Sequence, residues 1–232
     1  MLARLTKFCV AWGMFGVASV ALADEPPAGL GQAPPPTGFV IVEDDLWTNL
    51  AGEPGDHMER ARESFLMVDG RAAANELRKA ATFLRIEARN AMDQTRVALS
   101  HSAHELDQLA QRVEKGTVKS VHELDAASAR ALHALANQHY ARATDAWKND
   151  QHNRCGRYLR AAEDNLERST LRAEAKVKSA THEVVKASRI VSGKLISGAG
   201  FVVDEVGAGF TAIGHQIERV GKGVEPTAPP AK

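Results

Sequence analysis

The chain has 232 residues, 29 Lys+Arg against 29 Asp+Glu, and hydrophobic residues at 44%. That balance argues against a dedicated nucleic-acid binder, which needs a basic face to displace counterions. The length suits one domain with a substantial core or one long bundle.

Arg4 and Lys7 open the chain, Phe8 to Leu22 carries no charge, and Ala21-Leu22-Ala23 puts small residues at the cleavage-defining positions. The apolar run is roughly 15 residues, short of the about 20 that span a bilayer. Residues 1–23 are therefore expected to be a cleaved export signal, with an uncleaved anchor as the alternative. Loss of Arg4 and Lys7 takes the 29 basic residues to 27 against 29 acidic, a net charge near −2 for the mature chain. Cys9 leaves with the signal, so Cys155 stands alone and no intramolecular disulfide can form. Cys155 reads as a small buried side chain on a helix seam; the other reading is an intermolecular disulfide in an oxidising compartment.

Residues 24–38 (DEPPAGLGQAPPPTG) form a Pro-rich extended leader. Residues 39–55 are expected to be an extended segment that lays Phe39, Ile41 and Trp47 against the helices, with Asp56 as the next N-cap. No proline follows between Gly55 and Glu225. An interior proline costs a helix about 3 kcal/mol, so its absence predicts a mostly helical chain. Residues 56–192 form the predicted bundle: a short helix over 56–68, a long one over 71–115, a third over 118–148 and a fourth from 154. Gly70 and Gly116 are placed to close helices. Leu77, Ala81, Leu84, Ala88, Ala91, Thr95, Ala98, Ser102, Leu106, Leu109 and Val113 keep one unbroken four-three stripe. A similar stripe runs through Cys155, Leu159, Ala162, Leu166, Ser169, Ala173, Val177, Ala180, Val184, Ala187 and Val191. The predicted fold is all-α, an elongated antiparallel bundle of long heptad-patterned helices.

Over 193–223, Gly193, Gly200, Gly207, Gly214 and Gly221 recur every seven residues beside an apolar seam. Glycine so regularly placed suggests the close approach of a neighbouring backbone. This helix completes the bundle, joins other copies, or meets a membrane surface peripherally. The tail, 224–232, is Pro-rich and expected to be disordered.

The nine histidines raise a metal hypothesis. The zinc-protease spacing fails at His104-Glu105, His122-Glu123 and His182-Glu183, because Gln108, Ala126 and Lys186 stand where the second histidine belongs. A looser set remains: His101, His104 and Glu105 on the second helix, with His133 folded opposite about Gly116-Thr117. Two imidazoles and a carboxylate suit Zn²⁺, Cu²⁺ or Ni²⁺; the plainer reading makes His101 and His104 exposed flanks. His139 falls on the seam and reads as a hydrogen-bonded, neutral core histidine. The serines lack a glycine elbow, no phosphate-cradling loop is present, and His152 beside Cys155 is a bare pairing. No catalytic residue and no cofactor are expected.

Arg60 to Leu84 echoes Arg142 to Leu166, with Arg60/Arg142, Ala61/Ala143, Leu77/Leu159, Arg78/Arg160, Ala80/Ala162 and Leu84/Leu166 identical. The unit resembles a degenerate tetratricopeptide-type hairpin. Val68-Asp69-Gly70-Arg71 stands at that family's interhelical turn, Ala74 and Ala81 at its small packing positions, and Cys155 and Ala162 at those of the second copy. The copies lie too far apart for a concave array of three or more units. The whole chain is similar to exported all-helical bacterial proteins of the YfdX-like sort, which implies a binding or stress-related role. The expected function is non-enzymatic: an exported, periplasmic or secreted bundle acting by protein–protein interaction or self-association in the cell envelope. Metal binding by His101, His104, Glu105 and His133, and peripheral lipid association through 193–223, are the alternatives.

Overall fold

The computed structural model describes residues 50–224 apart from 172 and 174, all within one compact unit, Val42–Lys232. It is an all-α bundle of seven helices, with no strand among the described residues. In chain order these are α1 Glu53–Leu66, α2 Gly70–Arg89, α3 Asp93–Glu114, α4 Val121–Lys148, α5 His152–Ser169, α6 Ala175–Ser197 and α7 Val203–Val224. The expected signal, the Pro-rich leader, residues 39–49 of the expected extended segment and the tail beyond 224 lie outside the described residues, and residues 53–55 of that segment belong to α1 instead.

Local chemistry explains where the helices start. Pro54 sits in the first turn of α1, where its missing N–H costs nothing, so α1 begins before the expected cap at Asp56. Asp69 caps α2 by accepting from the Ala72 N–H at 2.9 Å, and Ser120 caps α4 by accepting from His122 at 3.2 Å.

The chain departs from the sequence expectation in three places. The single helix expected over 71–115 is two helices, α2 and α3, packed on each other. Asn90 ends α2 with its side chain bonded back to the Ile86 carbonyl, and Met92 is extended at φ −62°, ψ 147°. The helix expected from 154 to 191 breaks after Ser169, where the Ser169 and Thr170 hydroxyls bond back to the carbonyls of Leu166 and Glu167. That break resets the phase. Thr181, Val185, Ser188, Ser192 and Leu195 form the buried seam of α6, while Ala173 and Ala187 are exposed. Finally, α6 runs on to Ser197, so position 193 falls inside it. Gly198 and Gly200 then adopt φ 71° and 73° in the turn to α7.

Consecutive helices pack together, and α4 also meets α1 and α7. Two apolar clusters divide the core within α4, with Leu135 in the first and Ala136 in the second. The first combines many alanines with Leu77, Leu84, Leu99, Leu106 and Leu124; burying each such leucine contributes about 1.5–3 kcal/mol. The second holds Cys155, Leu159, Leu166, Val185, Leu195 and Ile213.

Side chains on α4 reach the backbone of α7 where glycine leaves room. The Tyr140 hydroxyl donates to the Phe210 carbonyl at 3.1 Å, and His133 Nε2 lies 2.8 Å from the Ile217 carbonyl. A Cβ on Gly214 would stand 2.7 Å from the Tyr140 hydroxyl, and one on Gly221 would stand 2.9 Å from the His133 ring. His133 and Tyr140 are spaced by seven residues, as are Gly214 and Gly221, so two heptads interlock. The close approach read into the glycine repeat is real at these two positions. A side chain, not a backbone, does the approaching. Gly207 has open space instead, and Gly200 serves the turn.

Candidate functional site

Four helices end with the same backbone closure, in which one residue takes a left-handed conformation and two N–H groups cap the last carbonyls. At the end of α3, Gly116 fills that position at φ 67°, with Gly116 N bonded to Val113 O and Thr117 N to Arg112 O. Gly198 ends α6 alike, and Asp150 at φ 57° ends α4. At the end of α1 the position belongs to Val68, at φ 63°, with Val68 N bonded to Phe65 O and Asp69 N to Ser64 O. A β-branched side chain is the least suited to this conformation, which costs a non-glycine residue about 1–2 kcal/mol.

Packing does not repay that strain. Val68 is 90% exposed, and its neighbours Met67 and Leu66 are 79% and 55% exposed. Three consecutive large apolar side chains therefore stand in water on one strained turn. The sequence reading missed this because it assigned the closing role to Gly70, which instead opens α2 beneath the Val113 carbonyl. The signal available was a valine in the slot two residues before a helix-opening glycine.

The metal candidates are placed separately. Glu105 is held by Arg130 through a bidentate ion pair, and His104 contacts Gln108 at 2.9 Å. His101 is exposed on α3, and His133 is turned to the Ile217 carbonyl. Among the described residues, no group of three or more His, Cys, Asp or Glu side chains is assembled as a metal site. His101 and His104 remain neighbours on α3; the structure does not bring His133 to them.

No family model, curated protein or solved structure matches this chain.

The other groups of chemical interest are enclosed. Cys155 is free and buried, and burial pushes its thiol up to about 12, far from a reactive thiolate. His139 is 1% exposed and lies 6.4 Å from the Tyr158 ring in a stacked arrangement. Burial holds its imidazole below the ordinary value, opposed by Glu87 and reinforced by Arg142. It is buried as expected, but neither ring nitrogen meets a hydrogen-bond partner among the described residues. Trp147 packs at the turn between α4 and α5, 5.1 Å from His152 and 6.1 Å from Phe201 between ring centres. No helix among the described residues is long and apolar enough to cross a membrane, and the apolar seam of α7, Val206, Ile213, Ile217 and Val220, is buried in the bundle.

Proposed function

We propose that the protein is a non-enzymatic helical-bundle protein of the cell envelope that works by docking a protein partner or a second copy of itself. The observation that carries this reading is the turn of Leu66, Met67 and Val68, strained in backbone and exposed in apolar surface. Strain held where it serves no packing points to a role outside the fold, and three adjacent apolar side chains suit the apolar centre of an interface. The enclosure of Cys155 and His139 supports a non-catalytic role, because neither group is reachable by a substrate. Export rests on the charged start, the apolar run and the small residues before Asp24.

The test pairs two readouts. Sedimentation of the parent and of the variant L66S/M67S/V68G measures self-association, and a photo-crosslinker at position 67 traps a partner in the intact envelope. The expected result is assembly or a discrete adduct in the parent, lost in the variant with helix content unchanged. A monomer in both, with no adduct, would remove the reading. N-terminal sequencing of the protein recovered from the envelope is expected to begin at Asp24.

A further inference from the structure

Just past the point where α4 leaves the first apolar cluster for the second, it carries Gln138, His139 and Arg142. Two of these grip the place where α2 turns into α3. The Arg142 guanidinium donates to the Asn90 carbonyl at 3.1 Å and lies 3.3 Å from the Glu87 carboxylate, which is 3% exposed. From the first turn of α3, the Thr95 hydroxyl donates to Oε1 of the fully buried Gln138. The end of α2 and the start of α3 are thus each tied to α4 by polar groups.

His139 stands at this joint, buried, with neither ring nitrogen partnered among the described residues. The charged groups acting on it are Glu87 from α2 and Arg142 from its own helix. From α5, Tyr158 stacks on it at 6.4 Å, and Arg142 and Arg154 lie 5.6 and 5.8 Å from the centre of the Tyr158 ring. From α3 comes only the neutral Thr95 hydroxyl, on the neighbouring Gln138. Glu87 is already answered by Arg142. A proton on His139 therefore puts a positive charge in the joint with no counterion of its own, which a buried site tolerates badly.

We propose that this joint is an acid-released latch, in which the α2–α3 turn is held on α4 while His139 is neutral and comes away when the imidazole takes up a proton. Movement of Glu87, Asn90 and Thr95 away from α4 exposes the ring to solvent, where the imidazolium is stable. Burial holds the closed imidazole below its ordinary 6.5, and opening restores that value. The proton is thus bound on opening, so the latch holds fully above 6.5 and weakens as pH falls below it. The inference stands apart from the α1–α2 turn, so either can fail alone.

The experiment is hydrogen exchange of the full chain at about pH 7.5 and about pH 5.5, each corrected for the chemical exchange rate at that pH. One proton bound on opening makes the open state about tenfold more populated at the lower pH. Peptides covering 86–96 are expected to lose about that factor in protection, and peptides of α6 to lose none. Global unfolding does not imitate this pattern, because Glu163, bonded to Ser188 and Ser192 of α6, binds its extra proton in the folded state and opposes acid opening there. His139→Phe keeps a ring that takes no proton and is expected to abolish the tenfold loss, whereas His101→Gln, on the exposed face of α3, leaves it intact. The proposal is overturned if the parent protects 86–96 equally at both pH values, if α6 loses protection to the same degree, or if His139→Phe retains the loss. The first two comparisons use the parent alone and so do not depend on a variant folding.

Discussion

Glu76, beside the first core cluster, and Glu163, inside the second, are carboxylates of the same kind held in opposite ways. Glu76 sits at the helix surface between His57 at 2.6 Å, Arg60 at 3.1 Å and Lys79 at 2.6 Å. Burial pushes it up, but the bonds from Lys79, His57 and Arg60 outweigh this and bring it to about 2. Glu163 is fully enclosed, accepts from Ser188 at 2.6 Å and Ser192 at 3.0 Å, and lies 3.4 Å from Arg160. There burial wins over the two hydroxyls and Arg160, and the carboxyl rises to about 7. The first region is an Ala/Leu core with its charges outside. The second admits a polar seam of Thr181, Ser188 and Ser192 and depends on close helix approach. Stability in the two regions should therefore break under different insults.

The largest effect separates removal from addition. Leu84 is fully buried in the first cluster, and Leu84→Ala is expected to cost about 2–5 kcal/mol through the cavity it leaves. Gly156 belongs to the second region, where a Cβ would stand 2.8 Å from the Ile196 N and the Ser192 O of α6. Gly156→Ala is expected to cost about 3 kcal/mol by forcing α5 and α6 apart. Hydrogen exchange should show Leu84→Ala loosening α2 and α3 first, and Gly156→Ala loosening α6 first. Uniform loosening by both would show that α4 couples the clusters into one cooperative unit.

Next in size is the pH response. The folded-state value of Glu163 lies above its ordinary 4.5, so the folded protein holds the extra proton, and stability falls as pH rises from about 4.5 through 7. The full change is about 3 kcal/mol, and Glu163→Gln should flatten it. Glu76 has the opposite sign. Its contribution is present above 4.5 and is lost as pH falls toward 2. Its pairs are part-exposed and screened, so Glu76→Gln should remove about 1 kcal/mol of acid sensitivity. Urea unfolding midpoints at a series of pH values read both, and a Glu163→Gln profile parallel to the parent's would contradict the assignment.

How far the sequence could show this depends on what marks a break. The α4–α5 turn was legible because polar residues interrupt the apolar pattern from Asn149 to Asn153. The α2–α3 turn was not. Ala88, Ala91 and Thr95 stay buried on both sides of it, so the stripe runs through the turn itself and slips only beyond it, where Ala98 is exposed and Leu99 takes its place in the core. Asn90 and Asp93 were the local signals, an amide that bonds back and an acid in a first turn. The glycine repeat announced close approach without naming a partner; His133 and Tyr140, at the same seven-residue spacing on α4, were that partner. The metal set misled because sequence distance from the Gly116 turn says nothing of rotation about α4, and rotation carries His133 to α7. The site at Val68 was hidden because its one mark, a valine two residues before a glycine, reads first as a helix closed by that glycine.

The smallest energetic effect bears most directly on function. Val68→Gly relieves the left-handed strain, and after the added freedom of glycine in the unfolded chain the net gain is about 1 kcal/mol. That corresponds to a rise in Tm of about 2–4 °C for a domain of this size. The same substitution removes apolar surface from the turn. Thermal unfolding and sedimentation of Val68→Gly beside the parent therefore measure both sides of one residue. A higher Tm with weakened self-association or partner capture is the predicted result, and a higher Tm with association unchanged would contradict docking at this turn.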